Sequence, residues 1–551
     1  MRPAIFRSFA FLVAIFIVAL RLPLSAASLD DPLLRAMQEE LDRSKAKLKM
    51  DPVAAPYYVE YRVTDLDVYD ASARFGALIA EQRARSRYLR VVVRIGDYKQ
   101  DSYYGTGEGT VDIVPVDGDV YAIRHRLWLA TDRAYKAAGE ALAAKQSALK
   151  QMTIDQPVDD FTPGRSGELI EPLVHLSSSD FAPWLNLLEE SSNLYRTDPL
   201  VQNLESSVHF VAQNTYLVNS EGLTARTGTT NYVIGVAGAT QAPDGQWLQR
   251  SHQDDAVDPT GLPARDQFLK TTTRMLETLK LLRDAPLTDE EYRGPILFSN
   301  DAACTVVNEL IQPNLLGKKP RLGENGRTTG FWSSSYKERV LPAFINVVDD
   351  PTISTLAGRP VIGHYSLDDE GVKPQRVSLV ENGKLVSYLT GRQPIRDFPA
   401  SNGHARGPAT ASPSAAPANL ILTSSQPQLD SALKSKLIDL AKQRGLPYAL
   451  YVETMGPRLD PRLIYRVYTS DGHQELIRGA VFGDLDVRSL RSELIAAGAV
   501  PDIEDHIESI PYSIVSPALL FDELQVKRTP ATKQALPEYP APALTDVAQQ
   551  K

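Results

Sequence analysis

Val306-Val307-Asn308-Glu309-Leu310-Ile311-Gln312-Pro313 reads as a helix that sets an amide beside a carboxylate and closes on a proline. It follows Gly294-Pro295-Ile296-Leu297-Phe298-Ser299, a short apolar run with the character of a strand. Further blocks come downstream: Phe344-Ile345-Asn346-Val347-Val348-Asp349-Asp350-Pro351-Thr352, then Asp368-Asp369-Glu370-Gly371-Val372, then Val380-Glu381-Asn382-Gly383-Lys384-Leu385-Val386-Ser387-Tyr388-Leu389. The series ends with Ser401-Asn402-Gly403-His404-Ala405-Arg406 and, near the end of the chain, Ser516-Pro517-Ala518-Leu519-Leu520-Phe521.

This ordered set resembles the TldD/PmbA family of metallopeptidases, also called modulators of DNA gyrase. The likeness is strongest from Tyr292 to Arg406. It implies an α+β, two-domain TldD/PmbA-like fold, with an N-terminal mixed helix/strand domain and a C-terminal strand-rich antiparallel domain. In the zinc-binding branch of the family the helix reads His-Glu-x-x-x-His, and a cysteine near the C-terminus supplies a further ligand. Here the matching positions are Asn308, Glu309 and Pro313. Zinc takes imidazole nitrogens, thiolates or carboxylates, usually three from protein. Asn308 offers a weak amide oxygen, and the Pro313 nitrogen has no usable lone pair. The single cysteine, Cys304, precedes the motif. The expectation is therefore no bound cofactor, with zinc confined to the family's active branch. Glu309 remains as a candidate catalytic base, which needs a polarised water or a substrate proton within reach. The plainer reading of Glu309 is a solvated helix carboxylate.

Three functions are compatible with these residues. The favoured one is a non-catalytic subunit or peptide-binding scaffold in proteolysis, working as a homodimer or as a heterodimer with an exported zinc-bearing relative. The second is an active peptidase using Glu309 with another metal site or nucleophile. The third is a non-enzymatic envelope binding protein.

Length and charge bound the rest. A chain of 551 residues exceeds one ordinary core. Its net charge of −9 is mild, and its acids and bases are interspersed. That gives no basic stripe for a phosphate backbone, so no nucleic-acid partner is expected. Residues 1–27 carry Arg2 and Arg7, an apolar stretch from Phe9 to Leu20, and the small residues Ser25, Ala26 and Ala27. This reads as a signal peptide cut after Ala27, with a periplasmic or extracellular product and no stable membrane span after cleavage. An uncleaved anchor is the alternative. No cysteine stands there for lipid attachment, and one cysteine in the whole chain forms no internal disulfide.

The mature chain divides into an N-terminal α+β domain over 28–285, a C-terminal β-rich domain over 286–528 and a flexible tail over 529–551. Helices are expected over Leu33–Lys49, Tyr121–Met152 and Pro263–Arg283, and in the second half over Ser489–Gly498. Trp128 and Tyr135 are read as core anchors of the second helix. Asn219-Ser220-Glu221-Gly222, Pro243-Asp244-Gly245, Asn382-Gly383 and Asp471-Gly472 mark hairpins. Gly403–Ala418, with three prolines, reads as a loop without a function. His364 with Asp368 and Asp369 reads as a histidine beside a capped turn, and His404 as an exposed loop residue. His125, His175, His209, His252, His473 and His506 show no metal-ligand spacing. No Gly-x-Ser-x-Gly elbow supports a serine nucleophile. Gly105–Gly109 lacks the lysine of a phosphate loop and reads as a turn.

Overall fold

The computed structural model describes residues 31–117, 119–152, 157–507 and 510–530. The expected signal peptide over 1–27 and the expected tail beyond Pro530 lie outside these residues. The first half is built on β1 (Pro56–Arg74) and β2 (Ala77–Ile95), a hairpin closed at Phe75-Gly76, where both residues have positive φ. It continues through β3 (Thr110–Ile113), β4 (Gly167–Ile170), β5 (Val201–Asn219), β6 (Leu223–Gln241) and β7 (Trp247–Ala256). The sheet order is β3-β2-β1-β5-β6-β4, with β7 also paired to β6. At about 3.3 Å per residue the 19-residue strands β1, β2, β5 and β6 each span roughly 60 Å.

Alternation along these strands buries one face under helices. Leu34 and Met37 of α1 (Pro32–Lys47) and Leu127 and Ala134 of α2 (Val120–Leu149) pack on Val63, Leu89, Val91 and Val218. Further along, α3 (Ala182–Asn193) and α4 (Arg265–Asp284) cover Phe210 and Ile234. Asp119 caps α2 by accepting hydrogen bonds from the Tyr121 and Ala122 amides. Tyr135 is buried as expected, but Trp128 is 43% exposed beside His125. Trp128 follows the buried Leu127 by one residue, about 100° around the helix, and so leaves the apolar face.

The second half contains β8 (Glu291–Phe298), α5 (Asn300–Val306), β9 (Ile345–Asp349), β10 (Val377–Glu381), β11 (Asn419–Ser424), α6 (Asp430–Gln443), β12 (Tyr448–Gly456), β13 (Asp460–Tyr468), β14 (Gln474–Ile477), β15 (Leu494–His506) and β16 (Tyr512–Arg528). The main path of its sheet runs β10-β9-β11-β16-β8-β12-β13-β14, and β15 pairs with β16. Ile296 and Phe298 of β8 face the core under α5, whereas Leu297 faces α6. Burial on both sides explains why this strand reads as an unbroken apolar run. The expected antiparallel sheet contains two parallel pairs, β8 with β12 and β11 with β16. Each joins strands far apart in sequence, a geometry that hairpins cannot make.

Ser489–Gly498 is a correction. Only Ser489–Ser492 is helical, and β15 begins at Leu494. The small residues Ala496 and Ala497 pair with Leu520 and Leu519 of β16, so sheet pairing overrides a helix-favouring composition. The helix of this region is α6, whose buried Leu433, Leu437 and Ala441 recur at helical spacing.

The two halves meet through buried arginines. The Arg392 guanidinium donates from Nε and Nη2 to the Thr162 carbonyl at 3.0 and 2.6 Å and pairs with Glu221 at 2.8 Å. Arg62 donates to the carbonyls of Pro408 and Ala411 at 3.3 and 2.7 Å. The proline-rich loop is therefore a docked element of the interface, contrary to expectation. Among the described residues no helix is long and apolar enough to cross a membrane.

Candidate functional site

Ser299 starts the site. Its Oγ accepts from the Ala302 amide at 3.0 Å and donates to the Glu453 carbonyl at 2.6 Å, fixing the first turn of α5 against β12. Ala302, Ala303, Cys304, Val306 and Val307 are then buried in the core. The α-helix stops at Val306, earlier than the motif suggests, and Val307–Ile311 form a π turn in which the Gln312 amide reaches the Val307 carbonyl. Pro313 accounts for this. It has no N–H, and its ring displaces the carbonyl four residues back, that of Glu309. Asn314 repairs part of the damage, donating from Nδ2 to the Leu310 carbonyl at 2.8 Å.

The π turn has a geometric effect on the motif. In an α-helix residues five apart diverge by about 140°. An i to i+5 turn brings them towards one side. Here the turn joins Val307 to Gln312, and Pro313, without an N–H, lies beyond it in the 3-10 turn Gln312–Asn314.

Asn308, Glu309 and Gln312 open onto a cavity of about 490 Å³. Its other walls come from Ser414–Pro417 of the proline-rich loop, Met455–Pro457 at the end of β12, and Glu504, His506 and Tyr512 of β15 and β16. The Tyr512 hydroxyl donates to Asn308 Oδ1 at 3.1 Å. Glu309 Oε1 accepts from the Arg458 amide at 3.3 Å. Arg458 and Leu459 both adopt positive φ, a costly pair for residues other than glycine. Thr305 Oγ1 donates to Glu504 Oε2 at 3.4 Å, and the His506 ring stacks on Tyr512 with centroids 4.6 Å apart.

Burial pushes the Glu504 carboxyl up to about 7, reinforced by Asp301, Glu309 and Asp502. Asp301 is pushed up to about 6 by burial and by Asp502. Burial pulls the His506 ring down to about 4, so it is neutral at pH 7. His506 Nε2 is buried without a hydrogen-bond partner, 3.8 Å from Glu504 Oε1.

Of the sequence candidates, Asn308 and Glu309 therefore share a cavity, while Pro313 shapes the turn behind it. Cys304 lies within α5; its thiol is driven up by burial and donates to the Asp502 carbonyl across 3.6 Å. Sequence does not point to Glu504, and it reads His506 only as a histidine without metal-ligand spacing, since their relation to Glu309 exists only through strand pairing. His404 is a second correction: it is fully buried, with Nε2 at 3.1 Å from Asp349 Oδ1 and Nδ1 at 3.0 Å from Asn402 Oδ1. His364 is exposed, and Asp368 caps its turn by accepting from the Glu370 and Val372 amides.

Zinc can be tested against this donor set. Asn308 Oδ1 is already engaged by Tyr512, Pro313 has nothing to donate, and Cys304 faces β15. Among the described residues no three His, Cys, Asp or Glu side chains are grouped to hold a metal ion. The residues present do not fit the family's zinc.

The turn after α5 delivers Glu309 to a cavity, inside a β-rich half joined to a helix-covered sheet, in an α+β protein. Residues 291–462 match the family model of the PmbA/TldA metallopeptidase C-terminal domain. Over these residues the chain is similar to the TldD/PmbA family. It is similar in fold to TldE from Thermococcus kodakarensis, with a TM-score of 0.60 and 13% identity over 89% of this chain and 99% of that one. A proposed modulator of a DNA gyrase from Thermotoga maritima gives a TM-score of 0.58 and 14% identity over the same shares. Over 69 residues, 12% of this chain, it is 33% identical to a metalloprotease of Archaeoglobus fulgidus. Over 73 residues, 13% of this chain, it is 37% identical to a metalloprotease of Methanocaldococcus jannaschii. The chain spans only 15% of the length of either relative.

Proposed function

We propose that the chain is an exported, metal-free member of its family that holds peptide segments in the Glu309 cavity and does not cleave them alone. It works as a pair with itself or with a zinc-bearing relative. The observation that carries this reading is Asn308 hydrogen-bonded to Tyr512 where the family's zinc branch has a histidine. The cavity keeps amide, carboxyl and aromatic groups able to hold a peptide. The test is the zinc content of the chain from Ser28 onward, purified without chelators, alongside turnover and binding of a broad peptide panel. Binding without zinc or turnover is expected. Near-stoichiometric zinc with hydrolysis abolished in Glu309→Gln would overturn the reading.

A second reading is favoured by the Glu504 carboxyl, which is held up to about 7 partly by Glu309 itself. A carboxyl raised in this way beside a second carboxyl can serve as the acid of a metal-free hydrolase. It requires turnover by the chain alone that both Glu309→Gln and Glu504→Gln abolish.

A further inference from the structure

A second cavity, of about 920 Å³, opens between the two halves and shares no lining residue with the Glu309 cavity. The segment after β2, residues of α2 and residues 157–160 line its first-half side, and residues 319–327 and 393–396 its second-half side. Six of the side chains lining it are cationic and three are acidic, in a chain whose net charge is −9. A cleft lined mainly by one sign of charge focuses its field on what enters.

Two of the cations meet on one carboxylate from opposite halves. Lys145 Nζ donates to Asp160 Oδ2 at 2.5 Å, and Lys319 Nζ donates to Asp160 Oδ1 at 2.8 Å. Burial would raise the Asp160 carboxyl, but Lys319 and Lys145 outweigh it and hold it below the usual carboxylate range. Asp101 lies 3.9 Å from Lys145 and is already paired with Arg94 at 2.7 Å. Three cations therefore share two carboxylates, and a positive charge is left over. It is also fixed in place: the Asp101 carbonyl accepts from Lys145 at 3.0 Å and the Asp159 carbonyl from Lys319 at 2.9 Å. An entering anion meets charges that are already ordered, which reduces the entropy lost on binding.

Nearer solvent, Lys99 and Arg321 are exposed and have no ion pair among the described residues. One presents a compact ammonium and the other a planar fork, both suited to phosphate or carboxylate oxygens. The remaining acids of the cleft, Glu108 and Glu324, are exposed, so water weakens their opposition. Tyr103 and Tyr104 add ring surface for an organic body. The volume suits a small molecule. We propose that this cleft binds a small multivalent oxyanion, a phosphoryl compound or a polycarboxylate, with Lys99 and Arg321 as its mobile contacts and the Lys145–Asp160–Lys319 group as its fixed positive charge. The site does not depend on what fills the Glu309 cavity.

The test is calorimetric titration of the chain from Ser28 onward, in phosphate-free buffer at low salt, with pyrophosphate, tricarballylate and acetate. Saturable binding of pyrophosphate or tricarballylate is expected, with acetate at least about tenfold weaker. The tighter of the first two tells a phosphoryl ligand from a carboxylate one. Lys99→Glu with Arg321→Glu should weaken binding by about tenfold or more. Lys270→Glu with Lys280→Glu, at exposed positions of α4, makes the same change in net charge and should leave binding within about twofold. No saturable binding of either multivalent oxyanion at millimolar concentration overturns the proposal. So does binding that the cleft variant leaves unchanged, or acetate bound as tightly. Equal weakening by both double variants overturns it as well, because that is a response to net charge alone.

Discussion

Tyr512, the first residue of the last strand, donates its hydroxyl to Asn308 Oδ1 across 3.1 Å, tying the first motif position to the far end of the chain. Restoring histidines therefore does more than add nitrogens. Asn308→His with Pro313→His supplies two ligands and still lacks a third. Weak zinc binding and negligible peptidase activity are expected, measured by calorimetric titration and peptide turnover. Circular dichroism is the folding control, because removing Pro313 restores an amide donor and tightens the π turn.

The pH dependence of stability should reveal Glu504. Its folded carboxyl titrates near 7 rather than near 4.5, so the folded state holds that proton more tightly than the unfolded chain. The resulting stabilisation is complete below about 4.5 and is lost as pH rises through 7. His506 acts oppositely: what it contributes is complete above about 6.5 and is lost as pH falls through 4. Glu504→Gln isolates the first effect. Its side chain is 36% exposed, so solvent screening reduces the size. Relative to wild type, the variant should gain about 1–2 kcal/mol between about pH 5 and pH 8 in urea unfolding.

Arg392 is nearly inaccessible and spends its fork on Thr162 and Glu221. Arg392→Ala leaves the Thr162 carbonyl without these donors and Glu221 without its cation, with only the Tyr98 hydroxyl and the Gly164 amide still donating to it, a loss of about 3–5 kcal/mol. Arg392→Lys should recover only part, because an ammonium cannot reproduce the planar fork. Thermal unfolding of the three proteins measures this.

His404→Ala should be as damaging. Both ring nitrogens face oxygens in a fully buried setting, and Asp349 also accepts from the Ala418 amide at 3.0 Å. Removing the ring strands a buried carboxylate at a cost of about 3–5 kcal/mol, read from the urea midpoint. The double variant with Asp349→Asn should recover part of it, since a neutral amide is cheaper to bury alone.

What the sequence disclosed was local. Asn382-Gly383 closes the turn after β10 with both residues at positive φ, as that dipeptide requires. Helix α4 has its Phe268, Thr272, Met275 and Leu276 buried on the expected face. The errors came from distant partners. Ala496 and Ala497 look helical until β16 lies beside them, and His404 looks exposed until Asp349 does. The cavity was half legible. Asn308 and Glu309 stand in one motif, but Glu504 and His506 lie far along the chain and join it only through the sheet. Helical spacing at Leu433, Leu437 and Ala441 would have disclosed α6.

The place of β16 in the sheet carries a consequence for biosynthesis. Although it follows the other strands of the described residues in sequence, it lies between β11 and β8 and also holds β15. Its Leu519 sits against Phe298, a residue made at the start of this half. Helix α5 and strands β8 and β11 must therefore wait, with apolar surface uncovered, until residues 512–528 have been made. Such long-range pairing is slow, and the waiting chain is exposed to aggregation. A stop codon just before Tyr512 would remove a strand from the middle of the sheet rather than its edge, and the whole second half would go with it.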